Sequence, residues 1–315
     1  MKTFFLTGQT ERLLPSVATI GFFDGVHLGH CHLINKVVTM AHREGLASTV
    51  ITFARHPRQV LHTDRHPLLL STLEEKSALL SQTGIDQLVV LQFTESTAAL
   101  SAYDFMRDVL LRQLGVRTLV IGYDNRFGHR EPGSTEGFDN YVRYGRDMGM
   151  AVVQGDPFDA GSVRVSSSKI RQFLLNGHVE EAALCLGHPY QLEGTVVSGY
   201  HIGTGMGFPT ANLQLDDSEK LIPASGVYAV NVRLQDSPEL RQGMMNIGHR
   251  PTFGGSHQTL ETHVFHFEGN LYGQRMCVSF VSRLRSEMKF DSREALVSQL
   301  ESDARQIEIL LEKKK

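Results

Sequence analysis

The feature that most constrains this chain is a change of rhythm near Gly187. Upstream, apolar stretches of strand length alternate with segments of helical spacing, whereas downstream such stretches follow one another with only turns between them. Segments 17–22, 48–53, 87–93, 118–122 and 150–154 read as buried strands. Between them Leu33, Ile34, Val37, Val38 and Ala41 recur at helical spacing, and Thr72 with Glu75 forms a capping box for a helix that closes near Gly84. Segments 101–114 and 134–148 read as further helices. This alternation predicts an α/β unit with a parallel sheet covered on both faces, which binds ligands where loops leave the carboxyl ends of strands. The loops after Gly21 and Gly122 are therefore the places to search. Segments 190–197, 226–234, 243–247, 259–267 and 274–284 then read as consecutive strands of an antiparallel barrel or sandwich, followed by a helix over 292–312. Helices 168–175 and 179–186 bridge the halves, so the expected division of the 315 residues is 1–186 and 187–315, each able to bury its own core.

Charge and composition narrow the function. A net charge of -3 gives no electrostatic case for nucleic acid, although a local basic groove for a small nucleotide is compatible with it. No stretch reaches the roughly 18 apolar residues of a membrane span, and residues 1–10 lack the order of a secretory signal, so the expectation is a cytoplasmic protein without membrane contact. Cys31, Cys185 and Cys277 match no metal or redox spacing and read as structural thiols. The lysines at 313–315 read as a solvated helix end, and no obligate protein partner is expected.

The first strand delivers the run G-F-F-D-G-V-H-L-G-H, residues 21–30. Gly21, Gly25 and Gly29 let backbone amides approach a phosphate, and a helix start adds unpaired N–H groups and positive potential. His27 and His30, three apart on a first helical turn, share one side and can donate hydrogen bonds to phosphoryl oxygens as charge builds. A metal site drawn from His27, His30, Cys31 and His32 is an alternative, although adjacent residues point apart. In V-S-S-S-K-I-R, residues 165–171, the hydroxyls of Ser167 and Ser168 with Lys169 and Arg171 can close the other side of a triphosphate; a polar helix cap is the simpler alternative. In the second half, G-T-G-M-G-F-P-T-A-N-L over 203–213 offers a glycine cradle, and the Thr210 hydroxyl and Asn212 amide are hard oxygen ligands suited to magnesium carrying ATP phosphates. A glycine-rich hairpin is the alternative there.

Together these strings carry a resemblance. Residues 21–30 and 165–171 resemble the signature elements of the nucleotidyltransferase superfamily, in which the two histidines contact the nucleotide phosphates and catalysis proceeds by orientation without a covalent intermediate. G-Y-D-N-R-F-G over 122–128 and T-F-A-R-H-P over 52–57 resemble segments of the prokaryotic bifunctional riboflavin kinase/FMN adenylyltransferase (FAD synthetase) family. Residues 203–213, N-I-G-H-R-P-T-F at 246–253, L-E-T-H at 260–263, L-Y-G at 271–273 and 284–290 resemble its kinase motifs in order. Arg55, Asn125, His178 and Thr204 depart from the family's usual residues.

The resemblance implies a Rossmann-like nucleotidyltransferase domain with a parallel sheet, followed by a six-stranded antiparallel β-barrel kinase domain with a C-terminal helix. It implies phosphorylation of riboflavin to FMN and adenylylation of FMN to FAD, with ATP and Mg2+. Gly21, Phe22, Phe23, Asp24, Gly25, His27, His30, Ser167, Ser168, Lys169 and Arg171 would bind ATP in the first domain, with His27, His30 and Arg171 catalytic, and Asp124, Arg126 and Phe127 on the flavin. Gly203, Gly205, Gly207, Phe208, Pro209, Thr210 and Asn212 would bind ATP in the second, where Glu261 would be the general base. A dinucleotide-binding oxidoreductase would instead need G-x-G-x-x-G after the first strand, which is absent. A non-catalytic flavin-responsive module is the other rival.

Overall fold

The long apolar runs of the first half become parallel strands in the computed structural model: β1 (Lys2–Leu6), β2 (Ser16–Ile20), β3 (Ala47–Phe53), β4 (Gln87–Leu91), β5 (Val116–Ile121) and β6 (Ala151–Gln154). The structure describes every residue except 7–12, 56–66, 124, 130–135, 162, 200–202, 236, 238, 253–254 and 314–315; at 204, 250–252 and 255–257 it describes the backbone alone. The sheet order is β1-β4-β3-β2-β5-β6. From β2 the chain winds outward through β3 and β4, then returns to continue on the other side through β5 and β6. The topological switch point therefore lies between β2 and β5, where such sheets open a crevice for ligands. A two-residue antiparallel pair, β7 (Asp159–Ala160) with β8 (Val163–Arg164), follows the sheet.

Both faces of the parallel sheet are buried, which is why its central strands are apolar at nearly every position rather than alternating. Helix α1 (Leu28–Glu44) presses Ile34, Val37 and Ala41 on one face beside α2 (Leu73–Ser81). On the other face lie Phe105, Met106 and Leu110, with Tyr141 of α3 (Phe138–Met148). The expected capping box is present: Glu75 N–H donates to Thr72 Oγ1 at 3.2 Å and Thr72 N–H to Glu75 Oε2 at 2.8 Å. Two readings change. β1, a half-exposed edge strand paired with β4, had no signal beyond its five residues. The expected helix over 101–114 is a short α-turn, Ala102–Asp104, running into a π-helix, Phe105–Gln113.

The chain divides into two compact units, Met1–Ser166 and Ser167–Lys315. Within the second unit, α4 (Ser167–Leu175) and α5 (Val179–Leu186) join a closed antiparallel barrel. Ala224 N–H donates to Leu174 O at 3.0 Å, tying α4 to the barrel's loops. The strands are β9 (Gln191–Val197), β10 (Ala211–Leu215), β11 (Gly226–Leu234), β12 (Leu240–Thr252), β13 (Gly255–Val264) and β14 (Arg275–Arg285), closed in the order β10-β13-β12-β11-β14-β9. β10 is the strand that alternation did not announce, because its first three residues belong to the glycine-rich string. Along β11, Tyr228, Val230 and Val232 alternate with Val227 and Ala229, which pack with Ile307 and Leu311 of α6 (Arg293–Lys313). Between that helix and the barrel wall a cavity opens, lined by Leu296 and Leu300 on one side and Val227 and Met244 on the other.

Candidate active sites

The loop 21–30 leaves the carboxyl end of β2 at the switch point. Its backbone turns through a short 3-10 segment, Asp24–Val26, in which Gly25 has φ 77°, a value open to glycine at no cost. Phe23 and Val26 also lie at positive φ, 53° and 40°, which is strain for bulky residues. Buried anchors hold it. Asp24 accepts from Leu70 N–H and Ser71 N–H, each at 3.0 Å, and Ser71 Oγ accepts from Gly25 N–H at 2.9 Å. Asp24, expected at the nucleotide, is thus 3% exposed and engaged inward.

His27 stands at the N-cap of α1 rather than within its first turn, because its Nδ1 accepts the His30 N–H at 3.2 Å. In a neutral ring this places the proton on Nε2, the nitrogen that donates. The two imidazoles stack at 3.5 Å between centroids and 14° between planes, so the expected pairing is realised by a cap. The His30 Nδ1 is buried and has no hydrogen-bond partner among the described residues, and burial, then His27, then Lys76 hold its pKa well below 6.5.

Across the switch point, Asn125 donates from Nδ2 to Ile20 O and from its backbone to Gly122 O at 3.0 Å. The residue that departs from the family's usual one therefore stitches the ends of β2 and β5 together. Phe127 stacks on Tyr141 at 4.6 Å, packed against the core, while Arg126 is exposed. Asp124, and His56 and Pro57 of the 52–57 segment, lie outside the described residues. Ser167, Ser168, Lys169 and Arg171 stand at the start of α4 in the second unit, where Lys169 Nζ donates to Gln172 Oε1 at 3.2 Å. Among the described residues no cluster of His, Cys, Asp or Glu is arranged to hold a metal; the Cys31 thiol donates to Val26 O and the His32 ring lies 5.4 Å from Phe158.

In the barrel, register builds the site. Glu261 of β13 pairs with Asn212 of β10 on one side and Asn246 of β12 on the other, and directly paired residues project from the same face. Glu261, Asn246 and Thr210 line a cavity of about 310 Å³ beside α6. Asn212 is on that face by register but does not line this cavity: it lines a neighbouring one, where a Cβ at Gly199 would come within 2.1 Å of its Nδ2. The glycine string folds over the Glu261 cavity: Met206 and Phe208 N–H both donate to Gly203 O, at 3.0 and 2.9 Å. A Cβ at Gly203 would come within 2.2 Å of Phe208 O, so only glycine fits. His263 Nδ1 bonds Pro209 O at 2.8 Å, and its ring meets Phe208 edge-on. Gly205 and Gly207 are exposed, and Gly205 O accepts from Arg293 at the start of α6.

Arg285 and Glu287 fall in the 284–290 segment read from sequence as a kinase motif, but no role was assigned to them, and Asp303 was not singled out. Arg285 lines the cavity and is clamped by the fully buried Asp303 of α6, at 2.9 Å from Nε and 2.7 Å from Nη2. Glu287 also faces the cavity, close enough to Gly248 that a Cβ there would lie 2.8 Å from its Oε1. In the first unit the missed residue is Lys76. A detectable signal existed for two of these: Lys76 sits between Leu73 and Leu80, and Asp303 between Leu300 and Ile307, each a charge in an apolar helical stripe.

An open parallel sheet with a phosphate-ready helix start at its switch point, joined in one chain to a closed barrel with a carboxylate-lined cavity, defines a two-site nucleotide-handling transferase. Comparison with known proteins gives the family. The FAD synthetase family model matches residues 9–169 and the riboflavin kinase family model residues 186–311. A bifunctional riboflavin kinase/FMN adenylyltransferase of Escherichia coli K12 is 36% identical over 91% of this chain and 90% of its own length. The Bacillus subtilis protein of that name is 35% identical over 96% of each chain. This chain belongs to the bifunctional riboflavin kinase/FMN adenylyltransferase family. It also superposes on a crystal structure described as a macrolide-efflux protein from Streptococcus pneumoniae, with TM-score 0.86, 31% identity and coverage of 96% and 97%. Among the described residues no helix is long and apolar enough to cross a membrane.

Proposed function

We propose that the chain makes FMN and then FAD at two separate sites, the kinase in 187–315 and the adenylyltransferase in 1–186. Riboflavin is phosphorylated by ATP, and FMN is adenylylated by a second ATP with release of pyrophosphate. One observation supports the kinase assignment above the others: the register that sets Glu261 between Asn212 and Asn246, with Glu261 and Asn246 lining a cavity large enough to take part of a flavin.

In the kinase step Glu261 accepts the proton of the riboflavin 5'-hydroxyl as that oxygen attacks the γ-phosphorus of ATP, and the bond to ADP breaks. The oxygen donors Thr210 and Asn212, neighboured by the Glu261 carboxylate, suit a hard divalent cation, and they would hold Mg2+. When bound, that ion screens the charge of the phosphates. The loop 203–209 covers the site. In the adenylyl step an FMN phosphate oxygen attacks the α-phosphorus of ATP, and the bond to pyrophosphate breaks. His27 and His30 donate to the phosphates from the start of α1, with Gly21, Phe22, Phe23 and Gly25 as backbone cradle. Ser167, Ser168, Lys169 and Arg171 are further ATP-binding residues of this reading, with Arg171 catalytic, and Asp124, Arg126 and Phe127 would bind the flavin. We place the reactions in the cytoplasm, where ATP is supplied.

The test is a chromatographic time course of the purified chain with riboflavin, ATP and magnesium. FMN should rise first and FAD follow. Absence of FMN would refute the kinase site, and FMN without FAD would refute the adenylyltransferase site.

A further inference from the structure

Lys76 of α2 is 2% exposed, an unusual place for an amine that needs water or partners. Its partners are backbone. Nζ donates to Phe22 O at 2.9 Å and Phe53 O at 3.3 Å, and lies 4.0 Å from the centre of the Phe22 ring. Thr52 Oγ1 donates to the same Phe22 carbonyl at 3.0 Å. Two donors thus hold that oxygen on the core side of the loop 21–30. The peptide is trans, so the N–H of Phe23 points the opposite way, away from Lys76. Phe23 itself sits at φ 53° and ψ 38°, a conformation that an aromatic residue keeps only where its surroundings over-determine it. Lys76 and Thr52 behind Phe22, with the edge contact of Phe23 on His30 at 5.1 Å, supply that constraint.

We infer that Lys76 is a positioning residue for adenylyl transfer: from behind the loop it locks the Phe22–Phe23 peptide with its N–H turned outward, and it sets a buried positive charge behind the phosphate site. The inference rests on the adenylyltransferase reading of that loop. It also explains why a lysine occupies an apolar stripe, where packing alone would select leucine or methionine.

The charge responds to ligand. Burial pushes Lys76 down to about 8, and Asp24 opposes that fall. The charged and titratable groups facing it are Asp24 from the loop and His30 from α1; Glu75 on its own helix is bound in the cap at Thr72. A triphosphate at the loop favours the ammonium form, so nucleotide binding near pH 8 draws a proton onto Lys76, up to about half a proton per site.

The experiment uses the full chain as wild type, Lys76→Met and Lys76→Arg. FAD formation from FMN is measured at varied ATP. Proton uptake on binding a non-hydrolysable ATP analogue is measured at pH 8 by calorimetry in two buffers of different ionisation enthalpy. Lys76→Met should lower kcat/KM for ATP by about tenfold or more, leave FMN formation from riboflavin unchanged, and remove part of the proton uptake. Lys76→Arg, always charged, should recover part of the rate without restoring the uptake. If the arginine variant fails to fold, the Lys76→Met data decide. A lowered melting temperature with kcat/KM and uptake unchanged per folded molecule would reduce Lys76 to a structural residue and overturn the inference. A wild-type chain that makes no FAD would refute the adenylyltransferase reading, and this inference with it.

Discussion

In the amino-terminal unit the groups proposed for phosphate come from one run of the chain, residues 21–30, and its shape is set by backbone conformation. In the barrel the matching groups come from Gly203 to Arg285 and from α6, and their placement is set by strand register and by one buried ion pair. The first construction needs anchors: Asp24 on the 70–71 backbone, Lys76 and Thr52 on Phe22, the His27 cap. The second needs alignment, because a one-residue slip of β13 would turn Glu261 away from Asn212 and Asn246 to the opposite face. Two phosphate chemistries in one chain are thus protected by different physics, and each fails in its own way.

The largest expected effect tests whether the barrel site depends on a single carboxylate. Glu261→Gln keeps size and hydrogen bonding but removes the base, so FMN formation should fall by about 10²–10⁴, while FAD formation from supplied FMN persists. Two assays on one purified protein check this; near-normal FMN formation would exclude Glu261 as the base, and equal loss of both activities would indicate misfolding.

The next probes the amino-terminal run. His27→Ala with His30→Ala should cut FAD formation by about a hundredfold or more, with FMN accumulating in a riboflavin time course. Unchanged FAD output would make the stacked pair a structural cap alone.

A third prediction separates the two constructions by stability. Asp303→Ala strands the Arg285 guanidinium, whose side chain is 17% exposed, without its carboxylate. The barrel unit should lose about 3–5 kcal/mol, read as a shifted urea or thermal transition and a weaker riboflavin KM. FAD formation from FMN should hold. A joint loss in both activities would show that the units are not energetically separable.

The smallest effect is a pH dependence. The folded-state pKa of His30 lies well below 6.5, so as pH falls through that value the unfolded chain takes up a proton that the folded unit refuses. Stability of the amino-terminal unit should therefore decline below about pH 6.5, by at most about 1.4 kcal/mol per pH unit. Urea unfolding between about pH 5.5 and 7.5 checks it, and His30→Gln should flatten the slope.

Both architectures were legible in the amino-acid order, and so was the glycine-histidine string at 21–30, because alternation of apolar periods and a short motif are local and need no distant partner to be read. That order also carried the glycine cradle at 203–207. β1 and β10 escaped it, since five residues on an edge, or emerging from a loop string, hold too little periodicity to stand out. Which distant groups meet was settled by the folded chain alone. Glu261 lies beside both Asn212 and Asn246 through barrel closure, Asp303 reaches Arg285 across a helix–strand interface, and Lys76 reaches Phe22 from another element. Each of those charges interrupts an apolar pattern or sits on an ordinary strand, and its purpose is set by a partner that chain connectivity does not name.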